Sequence, residues 1–323
     1  LFTRGGYIIR RQNSPVKGNA GQRHRTMVNL SRNGPNITTT GGGSLSDAME
    51  REDILEQFDQ LGGLPEDEID LAWAALLIAA SEYPDLDVMG QYEVLDDLAN
   101  GAARRLDDER DPLSSVNNLS EYLFDEVGFQ GNESEYYDPR NSYLNDVLAR
   151  RMGIPITLSL VCIEVGKRLG VPLEGVGMPG HFLLRHVEEP GIYIDPFHRG
   201  ILLSEEECAQ LLRDATRSNV QWDQSYLTVV SNRELIARIL RNLKSIYLNQ
   251  RDHQRALGIA SLSVSLQPNI IGERRDRGMI HYQLGNGQAA LEDLRIYLAA
   301  SPLGPDTLDV RRIVQGIEGD SGG

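Results

Sequence analysis

Residues 141–185 read NSYLNDVLARRMGIPITLSLVCIEVGKRLGVPLEGVGMPGHFLLR, and this stretch decides the fold. A first helix is expected over residues 141–152, with Ser142 as its cap. A second helix is expected over residues 155–169, because a proline suits its first turn and a glycine follows its last residue. Its apolar residues fall nearly all round the helix, which is typical of a buried helix. The stretch therefore predicts a central buried helix followed by strands.

Two strands are expected directly after this helix. FLLRHV and IYIDPF flank the turn-like cluster EEPG, which predicts a hairpin. Because side chains alternate between the two faces of a strand, His181 and Asp195 share a face only if the connection is odd in length or contains a bulge. His186 has the opposite parity from His181 and is expected to be a solvated strand residue. The spacing thus makes a His-Asp pair conditional on one local irregularity.

The order of these motifs resembles that of the transglutaminase-like superfamily, whose fold is of the papain type. NSYLNDVLARRMGIPITLSLV, PGHFLLR and IDPF resemble the SirB-one branch in particular, which also occurs inside a eukaryotic F-box protein. The resemblance covers about residues 49–215. It implies an α+β, papain-like core in which His181 is the general base for a nucleophilic cysteine and Asp195 orients that histidine.

The cysteine that this resemblance implies is absent from its expected place. It should stand at the head of the buried helix, where the thiolate gains from the helix N-terminus and the imidazole, but Pro155 occupies that place. Cys162 lies seven residues later, which is about 10 Å further along the helix axis. It is expected to be a small buried residue, and Cys208 has a weaker claim still. Thr157 and Ser159 are alternative nucleophiles, or they serve as capping groups.

Two function classes follow. The first is a non-catalytic protein-interaction or regulatory module with a degenerate Cys-His-Asp site. The second is an active hydrolase or acyltransferase of the protease or transglutaminase type, which uses Cys162 or a hydroxyl of Thr157 or Ser159 with His181 and Asp195. The missing cysteine favours the first. The residues expected around the helix head and its pocket are Asn141, Ser142, Pro155, Thr157 and Ser159.

A metal site is a weaker alternative for the same histidines. His181, Asp195 and His198 have suitable side chains for zinc, but their spacing in a hairpin matches no metal-binding signature. No metal and no cofactor are therefore expected.

Helical segments are expected on both sides of this core, which itself is placed at residues 139–215. Residues 46–127 form the helical N-terminal part of a domain over 46–215, with one helix beginning near Pro65. The many acidic residues there are expected on a solvated helix face rather than in a cation site.

The C-terminal region contains a repeat. Ala256-Leu257 and Ala290-Leu291 are 34 residues apart, as are Pro268 and Pro302. This is the tetratricopeptide period, a helix–turn–helix unit. A pair of such repeats is expected over residues 232–318, with a capping helix near its end. Such repeats bind a protein or peptide, or else they pack on the core domain.

Composition excludes several functions. The net charge of −15 argues against nucleic-acid binding, and no apolar run is long enough for a membrane span. Two cysteines provide no disulfide framework, so a cytoplasmic, reducing setting is expected. Residues 1–45 contain no acidic residue and are expected to be a disordered tail or a leader.

Overall fold

The computed structural model describes residues 51–106, 111–216 and 221–320. The tail or leader expected at residues 1–45 lies outside these ranges. The helices are α1 (Arg51–Gly63), α2 (Leu71–Ala80), α3 (Val88–Ala103), α4 (Pro112–Ser120), α5 (Leu144–Arg150), α6 (Pro155–Leu169), α7 (Glu205–Thr216), α8 (Asn232–Asn249), α9 (His253–Leu266), α10 (Ile271–Gln283), α11 (Gly287–Ala300) and α12 (Thr307–Asp320). The strands are β1 (Gln130–Gly131), β2 (Met152–Gly153), β3 (Leu173–Val176), β4 (Leu183–His186), β5 (Glu189–Asp195) and β6 (Ile201–Leu203). Within the described ranges, no helix combines the length and the apolar character needed to cross a membrane.

The N-terminal helical part is built around α2. All ten of its residues, LAWAALLIAA, are buried. The prediction that a helix begins at Pro65 is wrong, since only a short 3-10 turn at Glu66–Glu68 follows that proline. The α-helix begins at Leu71 because the Asp70 carboxylate accepts a hydrogen bond from the Trp73 amide at 2.8 Å and so caps it. The helical part continues with α3 and α4, and a π-helical turn at Glu121–Glu126 prolongs α4.

The central helix lies where the sequence places it. α6 begins at Pro155, is buried along most of its length, and ends at Leu169. Gly170 caps it, with a φ of 71°, the left-handed conformation that glycine adopts readily. The first helix of the pair is shorter than expected. α5 begins at Leu144 and its cap residue is Tyr143, so Ser142 does not cap it.

A four-stranded antiparallel sheet follows, in the order β3-β4-β5-β6. The turn of its central hairpin is Val187-Glu188, not the EEPG cluster, because β5 already begins at Glu189. The strand register shifts beside His186, where a bulge interrupts the β4–β5 pairing. A separate pair of short parallel strands, β1 and β2, joins the segment before α5 to the head of α6.

The C-terminal helices form two antiparallel pairs, α8–α9 and α10–α11, with α12 packed on the second pair as the expected cap. Ala256 and Ala290 are fully buried, as the small residues of such repeats must be for the helices to approach each other. In the second pair, Arg274 and Arg277 stand 34 residues after Leu240 and Leu243, at places where the first pair has apolar residues. Both guanidiniums donate to the carboxylate of Asp293, which is 2 % exposed, at 3.3 and 2.6 Å. A buried ion-pair cluster therefore holds α10 to α11.

The repeat helices share one hydrophobic core with the papain-like part. Buried residues of α2, α6, α8 and α9 belong to a single cluster. The Arg233 guanidinium, at the start of α8, donates to the terminal carbonyls of both α1 and α9, including those of Leu61 and Leu266 at 3.1 Å each. Tyr143 and Tyr247 add a buried hydroxyl–hydroxyl hydrogen bond of 2.7 Å between α5 and α8. These contacts confirm an α+β core followed by a helical repeat region.

Candidate functional site

His181 and Asp195 meet at one end of the sheet. His181 Nε2 lies 2.9 Å from Asp195 Oδ2, and the Asp195 side chain is completely buried. The bulge in the β4–β5 hairpin supplies the irregularity that a shared face requires. With Nε2 donating to the carboxylate, a neutral His181 ring has its lone pair on Nδ1, where a general base needs it.

Asp195 holds a second histidine as well. His198 Nδ1 lies 2.7 Å from the same Oδ2 atom, while Oδ1 accepts hydrogen bonds from the Phe197 and His198 amides at 3.0 and 3.2 Å. Burial alone would raise the pKa of Asp195, but the hydrogen bonds from His181 and His198 hold this pKa well below its usual range. The carboxylate is therefore charged at neutral pH. The hydrogen bond to Asp195 in turn raises the pKa of His198.

The head of α6 is fixed by Thr157 and Asn141. The Thr157 hydroxyl donates to the Asn141 carbonyl at 2.7 Å, and it accepts from the Ile154 amide at 3.2 Å. The Asn141 side chain donates to the carbonyl of Glu135 at 2.7 Å, which ties the loop before α5 to the same place. Thr157 is 1 % exposed and Asn141 is fully buried. Both residues thus hold the helix head in place through buried hydrogen bonds.

A cleft of about 390 Å³ opens in front of this helix head. His181 and Pro155 both line it. Of the five residues expected at the pocket, Pro155 alone lines this cleft; Asn141, Ser142, Thr157 and Ser159 are buried behind it. The other lining residues are Tyr136, Ile154, Ile156, Met178, Pro179, Gly180, Phe182, Arg238, Arg241, Asn242 and Ser245.

Comparison with known proteins agrees with this architecture. The family model of the transglutaminase-like superfamily matches residues 91–241, and that of the tetratricopeptide repeat matches residues 243–315. A UPF0162 protein from Xylella fastidiosa strain Temecula1 is 39% identical over 257 residues, which are 77% of this chain and 90% of that protein. This chain belongs to the UPF0162 family.

Other relatives show how far the similarity reaches. The UPF0162 protein of Vibrio cholerae is 30% identical over 257 residues, covering 79% of this chain and 95% of that protein. Human F-box only protein 21 is 36% identical over 133 residues, covering 38% of this chain and 20% of that protein. No solved structure matches the chain.

The thiols of this UPF0162 chain lie away from any activating group. Cys162 is 4 % exposed in the hydrophobic core, where burial raises the pKa of its thiol to about 12. Cys208 is fully buried on α7, and burial, followed by the nearby Asp195 charge, raises its pKa to about 12 as well. Both thiols are therefore protonated at neutral pH, the opposite of what a nucleophilic cysteine requires.

The same histidines and aspartate form the one group within the described ranges that has metal-ligand character. Their ligand atoms in His181, Asp195 and His198 all lie within 4.8 Å of one another. Each imidazole points one nitrogen at the same Asp195 oxygen at hydrogen-bond distance, so the carboxylate is already bonded to both histidines. His186, expected to be solvated, is instead buried, and its Nδ1 accepts from the Glu188 amide at 3.1 Å.

Sequence reasoning missed one wall of the cleft. Arg238, Arg241, Asn242 and Ser245 come from α8, more than fifty residues after His181. Their spacing of i, i+3, i+4 and i+7 puts them on one face of a helix. This polar stripe on a repeat helix was the signal that could have indicated a second functional face.

Proposed function

We propose that this protein is a non-catalytic, transglutaminase-like module that binds a segment of a partner protein in the cleft between its papain-like core and its first repeat helix. One observation supports this most directly. The residue at the head of α6, in the cleft that His181 also lines, is Pro155, whose side chain has no group that can attack a bond. The base and its orienting acid are present, and the nucleophile is replaced.

The remaining candidate nucleophiles are engaged or enclosed. The Thr157 hydroxyl holds the helix head through the Asn141 carbonyl. Ser159 is fully buried, with no hydrogen-bond partner for its hydroxyl among the described residues. Cys162 has a pKa raised by burial. Nucleophilic catalysis needs a hydroxyl or thiol that lies within hydrogen-bond reach of a base and is accessible to the substrate.

The retained His-Asp pair has a structural use. Asp195 accepts four hydrogen bonds, from His181, His198 and two backbone amides, and so joins β5 to the segment that precedes β4. A buried carboxylate that is satisfied in this way fixes the local shape of a pocket. The pair thus gives the cleft one rigid wall, whereas α8 supplies the other.

The tetratricopeptide region gives this proposal general support, since such repeats bind protein partners. Here its first helix contributes directly to the cleft through Arg238, Arg241, Asn242 and Ser245. The partner is therefore proposed to contact both the repeat region and the papain-like core.

Thiol chemistry tests the proposal. We expect Cys162 and Cys208 to react slowly with iodoacetamide from pH 5 to 9, at rates unchanged by His181→Ala. A fluorophosphonate probe, read out by peptide mass spectrometry, should leave Thr157 and Ser159 unlabelled. Fast alkylation of Cys162 with a midpoint well below about 8.5, lost in His181→Ala, would instead establish the alternative, an active hydrolase or acyltransferase. Labelling of either hydroxyl would do the same.

A further inference from the structure

We propose that the cleft recognises a carboxylate group in the bound peptide segment, held by the polar face of α8 while apolar neighbours of that group pack on the apolar lining at the head of α6. This inference rests on the proposed function, because it names the chemistry of the ligand for the same cleft. It is carried by the charge balance and the geometry of α8.

The α8 wall consists of donors. Arg238, Arg241, Asn242 and Ser245 form one stripe along the helix and all line the cleft. Among the described residues, no protein group pairs with the Asn242 amide or the Ser245 hydroxyl, so both are available to a ligand. Two guanidiniums beside an amide and a hydroxyl offer many N–H and O–H groups to an incoming oxygen.

The positive charge of this wall is only half neutralised. Arg238 Nε and an Arg241 terminal nitrogen both bond to the same Glu234 oxygen, Oε1, at 3.3 and 2.5 Å. One carboxylate thus faces two guanidinium groups. No Asp or Glu side chain is among the residues that line the cleft in the described ranges. The α8 wall thus carries one positive charge more than its paired carboxylate neutralises, while the buried Asp195 carboxylate lies behind His181.

Arg238 is held in place before any ligand arrives. Its guanidinium donates to the Gly177 carbonyl at 3.0 Å and lies over the Phe182 ring, 5.7 Å from the ring centre. A Cβ atom at position 177 would meet that guanidinium at 2.7 Å, so the glycine permits the approach. A donor that is fixed in this way loses little freedom when it binds an anion.

The rest of the lining is largely apolar. Ile154, Pro155 and Ile156 at the head of α6 line the cleft and are almost fully buried, as is Phe182, which lies under the Arg238 guanidinium. A volume of about 390 Å³ holds a few side chains of a peptide rather than a folded domain. A carboxylate-bearing residue with an apolar neighbour fits both walls at once.

Arg241 is the residue to change, because its side chain is 40% exposed and, within the described ranges, bonds to Glu234 alone. The matched control is Arg312→Gln on α12, which removes the same charge from an exposed pair with Asp309. A library of random twelve-residue peptides is selected against the full chain, the Arg241→Gln variant and the control. The peptides enriched by the full chain are then made synthetically.

We expect enrichment of Asp or Glu next to Leu, Ile, Val or Phe. Arg241→Gln should weaken the best peptide about tenfold, as loss of a charge-assisted hydrogen bond does, whereas Arg312→Gln should leave the affinity within about twofold. Arg241→Glu should select Lys or Arg instead. Replacing the peptide's Glu by Gln, or amidating its C-terminus, shows whether the carboxylate is a side chain or a chain end.

The outcomes separate the two proposals. Enrichment of peptides without a carboxylate, or equal effects of Arg241→Gln and Arg312→Gln, overturns the carboxylate inference and leaves peptide binding in the cleft intact. Enrichment of no peptide by the full chain overturns both. The thermal unfolding of each variant, compared with that of the full chain, shows that the fold is retained.

Discussion

Replacing Pro155 by cysteine should restore a reactive thiol at the head of α6. Pro155 is the first residue of this helix, where a backbone N–H has no intrahelical partner, so Pro155→Cys breaks no helical hydrogen bond. The new thiol enters the cleft that His181 lines. The substitution therefore tests whether the cleft keeps the geometry of a cysteine-dependent site.

The expected effect follows from two charges. A helix N-terminus and a neighbouring imidazole both stabilise a thiolate, and thiols in such places have pKa values of about 3.5 to 7.5 rather than about 8.5. We expect a pKa near 6.5, a shift of about two units that corresponds to about 2.7 kcal/mol. At pH 6.5 the thiolate fraction then rises from about 1 % to about 50 %. The lower basicity of the thiolate reduces its intrinsic nucleophilicity about eightfold, so alkylation should be about sixfold faster than that of an ordinary thiol.

The assay is the rate of iodoacetamide alkylation against pH, followed by mass spectrometry on each cysteine peptide. Cys162 and Cys208 are buried and should contribute little. Leu303→Cys gives the matched control, since Leu303 is 95% exposed and its thiol should behave as a free one. The Pro155→Cys midpoint should lie well below that of Leu303→Cys. The His181→Ala double variant should recover most of the difference, with the helix N-terminus accounting for the rest.

A midpoint equal to that of Leu303→Cys would refute the reasoning. The head of α6 would then be a proline-containing turn with no relation to a nucleophile position. A low midpoint that survives His181→Ala would leave the helix N-terminus as the cause and would remove the histidine from the explanation.

Three further perturbations test the fold and the site. Asp293→Asn should lower the free energy of unfolding, measured by urea titration, by about 3 kcal/mol, because it leaves two arginines without their shared buried carboxylate. The control Asp309→Asn, on the exposed face of α12, should lower it by less than about 0.5 kcal/mol. Gly62→Ala should lower the free energy of unfolding by about 1–3 kcal/mol, since its Cβ would meet a carbonyl of α9 at 2.4 Å. A Cβ at Gly63 would meet open space, so Gly63→Ala should leave the free energy of unfolding unchanged or raise it slightly. The stabilising effect of His198, whose pKa is raised in the folded state, should be complete below about pH 6.5 and should fade as the pH rises through the folded-state pKa. Thermal unfolding should therefore show the advantage of wild type over His198→Gln shrinking from pH 6 to pH 8.

The sequence predicts the parts of the structure that depend on local signals. The bounds of α6 follow from a proline, an apolar run and a glycine. The repeat pair follows from the offset of 34 residues, and its capping helix follows from the need to cover the last pair. In each case the deciding residues are neighbours along the chain.

What the sequence did not predict depends on distant partners. The start of α2 is set by the side chain of Asp70, which competes with the helix signal of Pro65. Arg277 occupies a position that is apolar in the first repeat, and only the structure shows that Asp293 pairs with it. The α8 wall and His181 line the same cleft, but no local sequence pattern predicts which face of a helix will meet which loop.

The bonding of α8 has a consequence for how this protein can be divided. The two family matches end and begin at residues 241 and 243, in the middle of this helix. Its buried side, with Leu240 and Leu243, belongs to the same core cluster as α6. Dividing the chain at that point would give two fragments that each expose part of this hydrophobic core, rather than two domains that fold independently. Recombination could not exchange the repeats of this chain for those of another protein without also rebuilding the wall of the papain-like half.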